Sequence, residues 1–264
     1  MEPKYDNWVP ESLAVGLAAG AATLAAAEAG VTLLVDRDKH PLIKTGLQAG
    51  LGLGALALGA ASAWCFYARS QFSYEGERKL SKDIVEKTAE YVDLPENGVG
   101  LDVGCGSGAL TIAAAKRNPQ GRMVGVDTWG IEYSKYTKEI CEYNAAAEGV
   151  TNVSFREGDA KRLPFADECF DAVTSNYVYH NIMGEDRREL LKETFRVLRK
   201  GGTFAIHDLM TKERFGNMEE FAEELRNEGF ERVELIPTDK GLFMDKKEAG
   251  VLLLTGSVLL TGKK

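Results

Sequence analysis

The sequence contains few residues of the kinds that bind metals or form disulfides. Its 264 residues include only four cysteines and three histidines, and no two cysteines form a C-x-x-C pair. No set of His, Asp or Glu residues has the spacing of a metal site either. We therefore expect reduced, mostly buried cysteines and no metal ion, which disfavours zinc sites, redox relays and metal-dependent mechanisms.

Basic clusters are also missing. The formal net charge is −8, and residues 70–264 carry most of it, with 27 basic and 34 acidic side chains. A protein that binds DNA or RNA needs a basic surface to meet the phosphates, and an acidic chain without such a surface offers none. Nucleic acid is therefore excluded as the expected partner or substrate.

Two long apolar runs stand out in residues 1–69. Ser12–Val35 has one charged residue, Glu28, and Thr45–Ala68 has none. Each run exceeds the roughly 20 residues that a helix needs to cross a bilayer. The polar link between them contains a proline, so the pattern predicts a transmembrane hairpin with helices at about 12–35 and 45–68.

A secretory signal peptide does not explain these runs, because Met1–Glu11 is net acidic and the apolar core is too long. A soluble helical cap remains an alternative, since alanine and glycine give weak hydropathy. The lysines and arginines lie mainly outside the link, which favours a cytoplasmic location for both ends of the hairpin. Glu28 would be costly in lipid, and we expect a hydrogen bond from Gln48 to reduce that cost.

The stretch 99–108 has a different character. Residues 99–103 are rich in β-formers, and Gly104, Gly106 and Gly108 follow, immediately before an apolar helical pattern. Strand, glycine loop and helix form the entry unit of an α/β nucleotide-type fold. The glycines alone also satisfy the dinucleotide pattern G-x-G-x-x-G/A, so they leave the ligand open.

Three carboxylates near the ends of predicted strands narrow the choice of ligand. Asp102 precedes the first glycine and suits an ammonium group, while Asp127 closes the next strand and suits a ribose diol. Asp159 follows the third strand and suits an adenine amine. Ammonium, ribose and adenine, with no feature for a pyrophosphate, describe S-adenosylmethionine better than a nicotinamide dinucleotide.

The same segments carry a family resemblance. The chain resembles the class I S-adenosylmethionine-dependent methyltransferases, and within them the ubiquinone/menaquinone C-methyltransferase-like branch (methyltransferase type 11). The resemblance covers roughly residues 72–264. The matching segments come in family order: Leu101–Gly108, Gly125–Asp127, Gly158–Phe165, Cys169–Val173 and Arg196–Gly202.

The alternation of strand and helix patterns after residue 70 predicts an α/β fold. We expect a Rossmann-like, doubly wound and mainly parallel sheet of seven strands over 70–264, with the seventh strand in 251–261. In such sheets ligands bind beyond the carboxyl ends of the strands, near the first strand. The residues expected to bind the cofactor are Tyr74, Asp102, Gly104, Cys105, Gly106, Gly108, Asp127, Thr128, Trp129, Asp159, Ala160 and Asn176.

Candidates for the chemistry are few, since methyl transfer needs mainly positioning and exclusion of water. His180 follows strand 4 and is either a general base or a residue that fixes its loop. His207 and Asp208 end strand 5, either as a structural pair or as part of the pocket lining. Trp129 either stacks on adenine or covers the following helix.

The expected function is a membrane-anchored methyltransferase with a cytoplasmic catalytic domain. Anchoring suits a small or lipophilic acceptor, such as a quinol, an isoprenoid, a phospholipid headgroup or a hydrophobic small molecule. One alternative is a nicotinamide-dependent oxidoreductase, although no convincing Tyr-x-x-x-Lys pair is present. The other is a non-catalytic, membrane-tethered module, against which the three intact carboxylates argue.

Overall fold

The computed structural model describes residues 2–36, 38–130 and 136–264. The chain forms two compact units. The hairpin unit is Asn7–Ser81, and the sheet unit combines Met1–Asp6 with Lys82–Lys264. The division into domains at residue 69 stays a prediction; the contacts within the chain group Met1–Asp6 with the sheet unit and extend the hairpin unit to Ser81.

The hairpin unit consists mainly of two helices, α1 (Glu11–Leu34) and α2 (Pro41–Phe72). Both are long and apolar enough to cross a membrane, judged by length and composition. The second helix exceeds the predicted 45–68 at both ends. It starts earlier because Pro41 occupies its first turn, where a missing N–H costs nothing.

Small residues bring α1 and α2 close together. The Ser62 hydroxyl donates to the Ala14 carbonyl at 2.8 Å, and a Cβ added at Gly54 would lie 2.9 Å from Leu24. The expected bond between Glu28 and Gln48 is absent from the described contacts. Gln48 instead donates to the Thr32 hydroxyl at 2.8 Å, while the Glu28 carboxylate lies against Gly52.

The sheet unit contains a seven-stranded sheet of the predicted Rossmann-like kind. The strand order is β3-β2-β1-β4-β5-β7-β6, and β7 runs antiparallel to both neighbours while the other pairs are parallel. The strands are β1 Val99–Val103, β2 Arg122–Asp127, β3 Val153–Glu157, β4 Phe170–Asn176, β5 Leu198–Leu209, β6 Arg232–Pro237 and β7 Ser257–Lys263.

Helices connect the strands and cover the sheet. They are α3 Leu80–Ala89, α4 Ala109–Arg117, α5 Lys138–Ala147, α6 Arg187–Val197, α7 Lys212–Phe215, α8 Met218–Asn227 and α9 Lys246–Val251, with a 3₁₀ turn at Tyr179–Asn181. Residues 131–135, shortly before α5, lie outside the described part of the chain. Apolar side chains of β1, β4 and β5, among them Leu101, Val173 and Phe204, form the core.

The last predicted strand is shifted by helix α9. The apolar run 251–261 was expected to hold strand 7, whereas β7 covers Ser257–Lys263 and α9 ends at Val251. The Asp245 carboxylate accepts hydrogen bonds from the first turn of α9, which stabilises a helix there. Leu253, with φ +60°, then ends it in a left-handed conformation.

Residues before Asn7 form a short strap on the sheet unit. The side chain of Asn144 in α5 accepts from the Lys4 N–H at 2.6 Å and donates to the Lys4 carbonyl at 3.1 Å. The same amide group donates to the Ser107 carbonyl at 3.0 Å. One buried asparagine therefore ties the start of the chain to the end of the glycine loop.

Candidate cofactor and catalytic site

The glycine loop follows β1 with the backbone that the sequence pattern requires. Gly104, Gly106 and Gly108 have φ values of +72°, +55° and +83°, in a region that L side chains seldom adopt. The N–H groups of Gly104 and Cys105 both donate to the Val126 carbonyl, at 2.8 and 3.0 Å. These bonds hold the loop against β2.

The two sides of the loop differ in the space they leave. A Cβ added at Gly104 would lie 2.4 Å from a methyl group of Val178, in the turn that follows β4. At Gly106 the nearest atom is a Tyr136 ring carbon, 3.8 Å away. Among the described residues, the Gly106 side of the loop is therefore the more open of the two.

Asp127 at the end of β2 lies directly against this loop. One oxygen accepts from the Gly106 N–H and the other from the Trp129 N–H, both at 2.9 Å. A carboxylate offers about four acceptor positions, so the half-buried group retains capacity for two hydroxyl donors. This arrangement fits a ribose diol. The neighbouring Thr128, also expected at the cofactor site, is exposed.

Trp129 is held across the loop in a conformation that is rare for a tryptophan. Its φ is +42°, its indole N–H donates to the Gly106 carbonyl at 3.0 Å, and its ring packs on a cluster that includes Cys105, Cys141 and Phe155. These contacts agree with the covering role. Stacking on adenine stays a prediction.

Asp102 is buried beneath the loop. Its carboxylate accepts from the Thr111 hydroxyl at 2.6 Å. Burial raises the pKa of Asp102 from 3.8 to about 7; the Thr111 hydroxyl opposes the rise and the nearby Asp127 charge adds to it. At neutral pH the group is therefore poised between its two protonation states.

We predict that S-adenosylhomocysteine binding releases a proton near pH 7. An ammonium group close to Asp102 favours the charged carboxylate and lowers its pKa. Below pH 7 the affinity should therefore increase with increasing pH, by up to about tenfold per pH unit. Calorimetry in buffers of different ionisation enthalpy measures the release. Asp102→Asn should abolish it, and unchanged release in that variant would contradict the assignment.

The same pKa predicts a stability effect of known sign. The folded-state pKa is above the ordinary value, so the protonated group contributes stability that is lost as pH rises from about 4 through about 7. Asp102→Asn should therefore gain stability relative to the parent protein above pH 7, as thermal unfolding at pH 5 and pH 8 would reveal.

A third carboxylate lies beyond β3. Glu157 pairs with Asp127 across the sheet, and the exposed Asp159 follows two residues later. Its side chain accepts from the Lys161 N–H at 2.9 Å within its own turn, and Ala160 is buried. Because β1, β2 and β3 are neighbours, the three acids follow one sheet edge, as an elongated ligand requires.

His180 lies in the 3₁₀ turn after β4 and is held by a buried carboxylate. Its Nδ1 is 2.6 Å from one oxygen of Asp208 at the end of β5, and Asp208 is completely buried. Asp208 also accepts from the N–H groups of Tyr179 and Leu209, at 2.9 and 2.7 Å. A carboxylate on Nδ1 fixes the ring and leaves Nε2 as the acceptor.

This pairing corrects one expectation. His207 and Asp208 do not form a pair, because successive side chains of a strand point to opposite faces. Asp208 instead contacts His180, whose side chain is 15% exposed. The contact between Val178 and Gly104 places the same turn against the glycine loop, so His180 and the loop share the carboxyl edge of the sheet.

His207 has a structural environment. It is buried, with Nδ1 2.8 Å from the Asn176 side-chain oxygen and Nε2 2.8 Å from the Thr238 hydroxyl. Burial lowers the pKa of His207 to about 3, so the ring is neutral. Asn176 ends β4 at the carboxyl edge of the sheet, and its side-chain oxygen is already bonded to His207. Tyr74 belongs to the hairpin unit. Cofactor binding by either residue stays a prediction.

The cysteines are mostly buried, as in Cys65, Cys105 and Cys141, while Cys169 is exposed. Burial raises the pKa of the Cys105 thiol well above its ordinary value, and Cys141 adds to the rise. In the described ranges, no three His, Cys, Asp or Glu side chains come together as a metal site.

Comparison with known proteins agrees with this geometry. Residues 101–206 match the family model described as "Methyltransferase domain". The matched segment begins in β1, contains the glycine loop, Asp127, Asp159 and His180, and ends within β5. This part of the chain is therefore similar to methyltransferase domains that use S-adenosylmethionine.

Relatives of this segment include two quinone methyltransferases. The chain is 32% identical over 134 residues to the demethylmenaquinone methyltransferase of Geobacillus stearothermophilus, covering 50% of this chain and 53% of that protein. It is also 32% identical over 124 residues to the 2-phytyl-1,4-naphtoquinone methyltransferase of Thermosynechococcus vestitus, covering 47% and 51%. The chain thus spans about half the length of these curated relatives.

A solved structure supports the fold at lower identity. A geranyl diphosphate methyltransferase in complex with SAM superposes with a TM-score of 0.55 and 16% identity, over 74% of this chain and 89% of that one. At this identity the likeness establishes the fold alone.

Proposed function

We propose that this protein is a membrane-anchored methyltransferase that moves the methyl group of S-adenosylmethionine to a small, lipophilic acceptor. The observation that carries the proposal is the convergence at one sheet edge of the glycine loop, Asp127 and the His180–Asp208 pair. The first two fit the cofactor, and the pair supplies a base beside it.

The cofactor supplies an activated methyl group on a sulfonium, and the protein positions both partners. Asp127, beside the open Gly106, would hold the ribose hydroxyls; the buried Asp102 would offset the charge of the ammonium group, and Asp159 would bind the adenine end. His180 accepts the acceptor's hydroxyl proton at Nε2. The buried Asp208 orients the ring and stabilises the imidazolium that forms, as carboxylates do in other histidine dyads.

The quinone relatives support an aromatic acceptor with a hydroxyl group, such as a quinol with an isoprenoid tail. Loss of a hydroxyl proton increases the negative charge on the ring carbon, which takes the methyl group as the methyl–sulfur bond of the sulfonium breaks. The proton on that carbon is then lost and the oxygen is reprotonated, which restores the aromatic ring and leaves S-adenosylhomocysteine. An isoprenoid or a hydrophobic small molecule with an acidic proton would use the same base. A phospholipid headgroup with an exposed amine is a weaker candidate, because its nitrogen needs less help from His180.

Helices α1 and α2 support anchoring in the membrane. Their most apolar stretches are 0% and 11% buried within the protein, whereas the core helix of a soluble protein is mostly buried. Lipid is the medium that covers such surfaces at least cost. We place both ends of the hairpin, and the sheet unit, on the cytoplasmic side, where S-adenosylmethionine is made.

The two alternatives make different predictions. A nicotinamide-dependent oxidoreductase would bind NAD or NADP on the same loop, and a non-catalytic module would bind none of these ligands. Titration of the full chain in detergent with S-adenosylhomocysteine, NAD and NADP separates the three. Binding of S-adenosylhomocysteine alone supports the methyltransferase.

In the same assay, Asp127→Ala should weaken S-adenosylhomocysteine binding about 10- to 100-fold. The variant removes an ionised acceptor for two hydroxyl donors, and hydrogen bonds to charged groups contribute about 1.5–3 kcal/mol. Asp93→Ala, which removes an exposed carboxylate elsewhere in the sheet unit, is the matched control. Equal affinities for the two variants would refute the role of Asp127.

A further inference from the structure

The connection between β6 and β7, residues 238–256, has an unusual surface. We call it the rim segment. Among the described residues of the sheet unit, four large apolar side chains are exposed. Three of them lie in the rim segment: Leu242, Val251 and Leu253. The fourth, Met183, follows the turn that contains His180.

The topology places the rim segment at the catalytic edge. β6 is antiparallel to β7, and β7 is antiparallel to β5, so β6 runs in the same direction as β5. The rim segment therefore begins at the carboxyl edge of the sheet, where Asp208 lies near the end of β5. Phe243 of the segment packs on His207, with ring centroids 5.0 Å apart.

One of the exposed apolar residues, Leu253, has an unusual backbone conformation. Leu252 and Leu254 are buried, whereas Leu253 between them is 69% exposed and has φ +60°. Glycine or asparagine adopts this left-handed conformation more readily than leucine. A strained and exposed leucine contributes little to folding, and its apolar side chain remains available for contact with another surface.

The exposed charges of the rim segment are mainly positive. Lys240, Lys246 and Lys247 are exposed, and no ion pair holds them in the described structure. The segment also holds three acids, of which only Asp245 is exposed, and that residue caps α9. Asp239 is buried and accepts from the Gly256 N–H at 2.8 Å, and Glu248 is half-buried in α9. The segment of a mainly acidic domain thus presents three exposed lysines and one exposed acid beside its apolar side chains.

We propose that the rim segment rests on the surface of an anionic lipid bilayer, with its leucines and valine at the headgroup boundary and its lysines on the phosphates. Exposed apolar side chains flanked by lysines are the pattern of an interfacial membrane contact. The contact would present the catalytic edge to an acceptor leaving the bilayer. This inference rests on the membrane anchoring in the proposed function.

Hydrogen exchange of the full chain in lipid nanodiscs tests the contact. We expect amides of residues 238–256 to exchange several-fold more slowly in discs that contain phosphatidylglycerol than in phosphatidylcholine discs or detergent. Equal exchange in all three media, or equal protection in both kinds of disc, would overturn the proposal. Protection that appears in detergent with rising protein concentration would indicate a second copy instead, and would also overturn it.

Two variants make the test specific. Leu253→Asn removes the apolar side chain and suits the left-handed conformation, so the fold is retained while the protection should fall. Lys246→Glu reverses a charge and places an acid in the first turn of α9, which is favourable for the helix. Lys200→Glu, in an exposed position near the amino end of β5, is the matched control and should keep the protection.

The same samples separate this inference from the proposed function. Failure of the chain to enter the discs, seen by size-exclusion chromatography, would count against membrane anchoring itself and so against the rim contact. Entry into the discs without protection of residues 238–256 would leave the anchoring intact and refute only the rim contact.

Discussion

Replacing His180 by glutamine should lower kcat for methyl transfer by roughly 10²- to 10⁴-fold, the usual contribution of a positioned general base. Glutamine fills a similar volume but does not accept a proton at neutral pH. The dissociation constant of S-adenosylhomocysteine should change little, because the described contacts of His180 are with Asp208 and Tyr177 and not with the residues assigned to the cofactor. The rate would be measured with a short-chain demethylmenaquinol.

Asp208→Asn provides the companion measurement. The buried carboxylate orients the imidazole ring, so its loss should reduce kcat while the affinity for S-adenosylhomocysteine stays the same. If cofactor affinity fell together with the rate, Asp208 would only maintain the fold of this edge. Full activity of His180→Gln would show that the acceptor needs no base from this residue.

Gly104→Ala should destabilise the sheet unit by about 2–5 kcal/mol. The left-handed backbone costs an alanine about 1–2 kcal/mol, and the added methyl group, 2.4 Å from Val178, adds an overpacking cost of about 1–3 kcal/mol. Thermal unfolding in detergent would detect the loss. The double variant Gly104→Ala/Val178→Ala should recover the packing part and leave the backbone part.

Gly106→Ala is the control for this experiment. Among the described residues, its added Cβ meets nothing closer than a Tyr136 ring carbon at 3.8 Å, so the stability cost should be mainly the backbone strain. The methyl group nevertheless enters the space we assign to the cofactor, so S-adenosylhomocysteine binding should weaken. If the two alanine variants lost equal stability, the close contact between Gly104 and Val178 would not be the cause.

The local parts of the site could be predicted from the sequence. The glycine loop and Asp127 depend on a strand, a tight turn and a helix that are contiguous in the chain. Their residue types follow from backbone conformation and from the ends of adjacent parallel strands. The positive φ angles of Gly104, Gly106 and Gly108 follow directly from that pattern.

The partner of His180 could not be predicted in the same way. Asp208 is 28 residues away in sequence, and the pair forms because β4 and β5 are neighbours and both end at the same edge. A strand's alternation gives the useful signal: Asp208 must point away from the side that His207 occupies. The role of Asn144 was also invisible, because its contact with Lys4 spans 140 positions.

That long-range contact has a consequence for the order of folding. Lys4 leaves the ribosome long before Asn144, and the apolar segments of α1 and α2 emerge in between. The strap can therefore dock only after Asn144 has been synthesised, and docking closes a loop whose entropic cost grows as about (3/2)RT ln n. Since Asn144 also donates to the Ser107 carbonyl, one side chain joins this late contact to the glycine loop.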